Sequence, residues 1–156
     1  MFFSPASISI ALAMTYAGAR NDTAKEMKNT LGFSDLSESA IHSAFEQLLD
    51  ALTAADAQYK LHVANRLFAE KCYQFHESFL STVLTHYKAE ATNLDFIKNA
   101  EASRLFVNEW VAKQTNDKIR DLLAPGVVDD MTRLILVNAV YFKGSIYSIC
   151  SLFKVR

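Results

Sequence analysis

The stretch Leu134–Gly144 (LILVNAVYFKG) constrains the fold more than any other part of the 156-residue chain. Its first nine residues are apolar except for Asn138, and their β-branched and aromatic side chains favour a strand over a helix. A strand without a polar face is typical of a sheet that is covered on both sides. We therefore expect Leu134–Gly144 to be an inner strand, with the preceding chain supplying helices for both faces.

Length and composition predict one packed globular domain spanning residues 1–156. Half of the chain (51%) is hydrophobic, and the formal net charge is −1. A chain without a basic surplus has no electrostatic attraction for nucleic acid or for an anionic membrane, so neither is expected as a partner.

The apolar N-terminus lacks the basic residues of a signal peptide, and no apolar run reaches the roughly 18 residues of a membrane span. These features favour a cytoplasmic location.

Hydrophobic periodicity predicts a mixture of helices and strands of the α+β class. Ser4 and Pro5 begin the first helix well, and Gly18 is expected just after its end. Thr23 and Glu26 have the spacing of a capping box for the second helix, and Asn99 is a candidate cap for the last. The predicted helices are Ser4–Ala17, Thr23–Leu31, Ser37–Ala54, Phe75–Ala89 and Asn99–Ile119, and the predicted strands are Tyr59–Leu67, Ala91–Phe96 and Leu134–Phe142.

Catalytic and metal-binding motifs are not found, so we expect neither an enzyme nor a cofactor. His76-Glu77 begins like the helix motif of zinc proteases, but Leu80 occupies the position of the second histidine. The other histidines, His42, His62 and His86, lack ligand spacing and are expected at the surface or its boundary. Ser148 and Cys150 have no identifiable base nearby in sequence and are not expected to be nucleophiles.

Two covalent features are left open by the sequence. Cys72 and Cys150 could form a disulfide, but two cysteines are too few to define a framework. Asn21-Asp22-Thr23 is a glycosylation sequon that matters only in a secreted protein.

Five segments, taken together and in order, resemble the serpin (serine protease inhibitor) family over about the first 144 residues. Each is a weak signal alone, but their common order and spacing make the resemblance specific. The segments are FFSPASISIALAMTYAGA (Phe2–Ala19), TAKEMKNTLGF (Thr23–Phe33), VANRLFAEK (Val63–Lys71), VNEWVAKQTNDKIRDLL (Val107–Leu123) and LVNAVYFKG (Leu136–Gly144).

The resemblance implies an incomplete serpin fold, with about five helices packed on part of the main β-sheet and three of its strands. It is closest in character to the ovalbumin-like, intracellular-type branch, although an extracellular location is common to much of the family. The family's activity is suicide inhibition of serine, and sometimes cysteine, endopeptidases. The implied partners are therefore serine proteases.

Departures from the family pattern qualify that implication. Serpins are well over twice as long, and their reactive loop, which nothing here matches, lies near the far C-terminus. The tail 145–156 diverges, with Ile146 and Cys150 where the family usually has Trp and Phe. We interpret the chain as a truncated product that does not inhibit by itself. The alternative is a non-inhibitory interaction fragment that binds itself or another serpin by strand addition at Leu134–Phe142.

The resemblance also marks Ser4, Ser7 and Asn138 as part of a polar cluster near the point where the main sheet opens. The simpler interpretation, a satisfied polar cluster in the core plus a helix cap, is favoured for this chain. The helix Ser37–Ala54 matches the segment that binds heparin in some serpins. It contains Glu38, Glu46 and Asp50 but no Lys or Arg, so heparin binding is not expected.

Overall fold

A computed structural model describes residues 4–53 and 59–144, and within them it contains five helices and three strands. They follow in the order that the periodicity predicts. The helices are α1 (Pro5–Gly18), α2 (Asn21–Thr30), α3 (Glu38–Leu52), α4 (Glu77–Tyr87) and α5 (Phe96–Gln114), and the strands are β1 (Tyr59–Glu70), β2 (Glu90–Leu94) and β3 (Leu134–Gly144).

The three strands form one mixed sheet in the order β2-β1-β3. Strand β1 runs parallel to β2, pairing Leu67 with Ala91, and antiparallel to β3, pairing Asn65 with Asn138. The central strand of the described sheet is therefore β1. Strand β3, which we expected to be an inner strand, has β1 as its one strand neighbour among the described residues.

Helices cover both faces of the sheet, as the apolar character of β3 predicts. Alternate residues of a strand point to opposite faces, so β1 contributes Leu67 to one core and Phe68 to the other. Leu67 lies in the core formed with α1 and α4, whereas Phe68 and Val137 pack against α5. Helix α3 packs mainly on α4 and contributes Leu49 to the core on that face of the sheet.

Helix α5 begins earlier and ends earlier than the predicted range Asn99–Ile119. Its N-cap is Asp95, whose carboxylate accepts the backbone N–H of Lys98 at 3.0 Å, while Asn99 interrupts the helix with φ −136° and ψ 47°. The helix stops at Gln114 because Asn116 and Asp117 adopt left-handed backbone angles, with φ 48° and 60°.

The predicted capping box of α2 is wrong. The helix begins at Asn21, two residues before Thr23, and its N-cap residue Arg20 makes no side-chain capping bond. The backbone N–H of Ala24 already bonds to the carbonyl of Arg20 at 3.3 Å, so Thr23 lies inside the first turn and does not cap it.

Gly18 and Gly32 lie at the ends of α1 and α2, but they have different roles there. Gly32 has φ +73°, as expected for a left-handed residue after a helix. Gly18 is instead the last residue of α1, and the C-cap is Ala19. A Cβ at Gly18 would lie 3.2 Å from the ring of Phe79. A glycine here thus allows α1 and α4 to approach closely, which the sequence pattern could not reveal.

Candidate functional site

Ser7 and Asn138 lie together where α1 packs on β3. The hydroxyl of Ser7 donates to the side-chain oxygen of Asn138. The amide nitrogen of Asn138 in turn donates to the side-chain oxygen of Asn65 at 2.6 Å. Asn65 and Asn138 face each other across the antiparallel pair of strands. One helix and two strands are therefore joined by side-chain hydrogen bonds on the same face of the sheet.

The hydrogen bonds continue from the sheet into the helices that cover it. The amide nitrogen of Asn65 donates to the backbone carbonyl of Tyr87, the last residue of α4, at 2.9 Å. The hydroxyl of Tyr87 lies 2.7 Å from Nδ1 of His42 on α3. We call this set, Ser7, Asn138, Asn65, Tyr87 and His42, the polar chain. It connects α1, both long strands, α4 and α3.

Ser4 contributes to this site indirectly. Its hydroxyl accepts the backbone N–H of Ser7 at 3.3 Å, and it is the N-cap residue of α1, as predicted. Ser4 therefore fixes the first turn of the helix that carries Ser7. Of the three residues singled out in the sequence, Ser7 and Asn138 bond directly to each other, whereas Ser4 acts through the backbone.

Asn65 is one of the members of the polar chain that are not predicted from the sequence. It is 8% exposed and lies on the same face of β1 as Val63 and Leu67. A buried amide without partners costs roughly 1–3 kcal/mol, and Asn65 avoids this cost because it bonds to Asn138 and Tyr87. The signal was available in the sequence, since Asn65 falls on the apolar side of the period-two pattern.

His42 is buried, so the expectation that it lies at the surface or boundary is wrong. Only 4% of the residue is exposed, because its side of α3 packs on α4. Nδ1 is satisfied by Tyr87, but Nε2 has no hydrogen-bond partner among the described residues. Burial lowers the pKa of His42; the nearby Glu38 carboxylate opposes this shift and His86 adds to it.

A second buried polar group, Glu70, joins the end of β1 to the start of α5. One carboxylate oxygen accepts the backbone N–H of Phe96 at 2.7 Å, and the other accepts that of Cys72 at 3.2 Å. Burial opposes ionisation of Glu70, but the bonds from the N–H groups of Cys72, Phe96 and Ile97 outweigh it and lower the pKa of the carboxyl. Glu70 is not predicted from the sequence because the alternating pattern of the strand ends at Leu67, three residues before it.

We expect the ionised Glu70 to make the fold sensitive to acid. A carboxyl whose pKa is lowered on folding contributes stability that is complete above its ordinary pKa of about 4.5 and declines as the pH falls below that value. Urea unfolding at a series of pH values should show this decline in wild-type protein and a smaller one in Glu70→Gln. The matched control, Glu77→Gln on the exposed first turn of α4, should keep the wild-type decline, and a decline as small as that of Glu70→Gln would contradict the assignment.

Among the residues that the structure describes, the remaining candidates form no catalytic or metal-binding group. His62 and His76 are exposed, and so is Cys72, while Ser148 and Cys150 lie outside the described residues. Within residues 4–53 and 59–144 there is no cluster of three or more His, Cys, Asp or Glu side chains arranged to hold a metal ion. The same part of the chain contains no helix both long and apolar enough to cross a membrane.

Comparison with known proteins identifies the family. The family model described as "Serpin (serine protease inhibitor)" matches residues 1–148. Serpin B6 from Macaca fascicularis is 49% identical over 146 residues, which cover 93% of this chain and 39% of the relative. Leukocyte elastase inhibitor from Bos taurus is 47% identical over 144 residues, covering 92% and 37%. Emu ovalbumin superposes with a TM-score of 0.88 at 31% identity, covering 93% and 41%.

These relatives test several of the expectations. The ovalbumin-like branch and the partial serpin fold of the α+β class are confirmed, whereas the extracellular location receives no support. The chain spans about two fifths of the length of the curated relatives that it matches, and it corresponds to their N-terminal part. The family model matches residues 1–148, and relatives align with almost the whole length of the chain. The chain therefore belongs to the serpin family.

Proposed function

We propose that these 156 residues are the N-terminal part of a serpin that, at the full length of its relatives, inhibits serine endopeptidases by the suicide mechanism of the family. The match of residues 1–148 to the serpin model carries this proposal, and a relative named as an inhibitor of leukocyte elastase supports it. We further propose that the 156 residues alone do not inhibit. The family's reactive loop lies in the part of the relatives that this chain does not match.

In this proposal β3 is the strand beside which an inserted loop would lie. One edge of β3 is paired with β1, and the described residues place no strand on its other edge. Ser7 and Asn138 would hold β3 to α1 and β1 while a strand is added on that other side. Their bonds lie at the middle of the β1–β3 pairing, at the Asn65–Asn138 position. Ser4, Ser7 and Asn138 are thus proposed as part of the region where the sheet opens.

A covalent-adduct experiment tests the inhibitory proposal. The 156-residue chain and a chain extended to the full length of its relatives are each mixed with elastase-like, trypsin-like, chymotrypsin-like and papain-like proteases, then separated in SDS. The extended chain should form an SDS-stable adduct with at least one serine protease, and the 156-residue chain should form none. An adduct with the short chain would contradict its proposed inactivity, and the lack of any adduct with the extended chain would contradict the inhibitory function.

A non-inhibitory interaction function is the second candidate, because an unpaired strand edge is a template for another strand. The segment Leu134–Tyr141 of β3 would accept a strand from a second copy or from another serpin. Hydrogen exchange should show half of its backbone N–H groups, those that face away from β1, exchanging rapidly in a monomer and slowly in a complex. Slow exchange of all of them in a strictly monomeric sample would rule this function out.

A further inference from the structure

The contact between α3 and α4 is built around two stacked histidines. The rings of His42 on α3 and His86 on α4 lie 5.9 Å apart, with an angle of 26° between their planes. His42 is almost completely buried, and His86 is partly exposed. The hydroxyl of Tyr87 lies 2.7 Å from Nδ1 of His42. Two imidazoles and a phenol therefore meet where the two helices pack.

A proton added to His42 would create a cation with little compensation. In the neutral ring Nδ1 pairs with Tyr87, and Nε2 has no hydrogen-bond partner among the described residues. A carboxylate oxygen of Glu38 lies 3.9 Å from Nε2, which is too far for a hydrogen bond. The Glu38 side chain is also largely exposed to solvent. Burying a charge without close partners is costly, so the packed helices favour the neutral imidazole.

The other groups around His42 bring no closer counter-charge to its ring. Nδ1 of His86 lies 2.8 Å from a carboxylate oxygen of Glu46, and this contact joins α4 to α3. Because a charge on one stacked ring repels a charge on the other, His86 adds to the lowering of the His42 pKa that burial causes. From α1 the ring of Tyr16 approaches His42 at 6.1 Å between ring centroids. Further along, Asp50 on α3 forms an ion pair with Lys88, the residue that follows α4.

We propose that His42 makes the contact between α3 and α4 a proton-sensitive junction, in which protonation of His42 releases α3 while the sheet and α5 stay folded. The release is local because α3 packs mainly on α4, whereas α4 is also held to the sheet by the bond from Asn65 to the carbonyl of Tyr87. This inference does not depend on the proposed inhibitory function.

The direction of the pH effect follows from the buried neutral ring. Burial lowers the pKa of His42. The stability that the neutral ring gives to the docked α3 is therefore fully present above the ordinary histidine pKa of 6.5, and it is lost as the pH falls below that value. A ring that stays neutral when docked, but titrates with a pKa of about 6.5 when released, weakens docking by at most about elevenfold at about pH 5.5.

Hydrogen exchange of the α3 amides, corrected for intrinsic rates, measures this release. The quantity is the ratio of the opening constant at about pH 5.5 to that at about pH 7.5, and it should be about three- to tenfold larger in wild-type protein than in His42→Gln. The matched control, His62→Gln at an exposed position of β1, should keep the wild-type ratio. At the lower pH, α3 should open more often than α5.

Three results would overturn the proposal. The first is a wild-type ratio of opening constants less than about twice that of His42→Gln. The second is a ratio in His62→Gln as low as that in His42→Gln. The third is a single opening constant shared by α3 and α5.

A second variant keeps the test decisive if His42→Gln does not fold. His86→Gln removes the ring that adds to the lowering of the His42 pKa, so the NMR titration midpoint of His42 should move to higher pH; an unchanged or lower midpoint would contradict the junction.

Discussion

An Asn65→Ala variant is expected to lose about 2–4 kcal/mol of the free energy of unfolding, because two groups in the protein interior lose their partner. Those groups are the side-chain amide of Asn138, which donates to Asn65 at 2.6 Å, and the backbone carbonyl of Tyr87, which accepts from Asn65 at 2.9 Å. Urea unfolding followed by circular dichroism provides the measurement. The loss should appear in the midpoint of the transition, with little change in its slope.

Asn93→Ala is the matched control for this substitution. Asn93 lies on the neighbouring strand β2 and is exposed, so removing its amide should change stability by about 0.5 kcal/mol or less. If Asn65→Ala were as mild as Asn93→Ala, the polar chain would contribute little to the fold. Its proposed role at the point where the sheet opens would then lose its structural basis.

A Phe68→Ala variant is expected to cost about 3–5 kcal/mol, the range for removing a fully buried aromatic side chain. Phe68 has no exposed surface and contacts two aromatic rings of α5 edge-on, Phe106 at 6.3 Å and Trp110 at 5.7 Å between ring centroids. Its removal leaves a cavity under α5 that the sheet cannot fill. Thermal or urea unfolding measures the loss.

The control for Phe68 is Leu84→Ala on α4, since Leu84 is an apolar residue that is 53% exposed. This change should cost less than about 1 kcal/mol because it opens no cavity. A similar cost for the two variants would mean that Phe68 is not the packing centre between the sheet and α5.

The order and type of the elements could be predicted from the sequence because the hydrophobic period changes clearly between helix and strand. The apolar run of β3 correctly predicted cover on both faces, since alternate residues such as Leu136 and Val137 enter different cores. Boundaries were less accurate where backbone geometry decides them. The end of α5 depends on the left-handed angles of Asn116 and Asp117, which no hydrophobic pattern encodes.

The site was only partly predictable, because its contacts join residues far apart in the chain. Resemblance to a family drew attention to Ser7 and Asn138, and the structure places them in contact. The absence of ligand spacing led us to expect His42 at the surface or its boundary, whereas packing of α3 on α4 buries it. Asn65 was visible as an amide on the apolar side of a strand, but its partner Tyr87 ends a different helix.

A double-mutant cycle between Ser7→Ala and Asn65→Ala tests the claim that the polar chain couples α1 to α4 through the sheet. These two side chains have no bond to each other in the polar chain, and both bond to Asn138. If the chain acts as one unit, the losses in unfolding free energy should be non-additive by more than about 0.5 kcal/mol. Losses that add within about 0.3 kcal/mol would show two independent contacts and would contradict the claim.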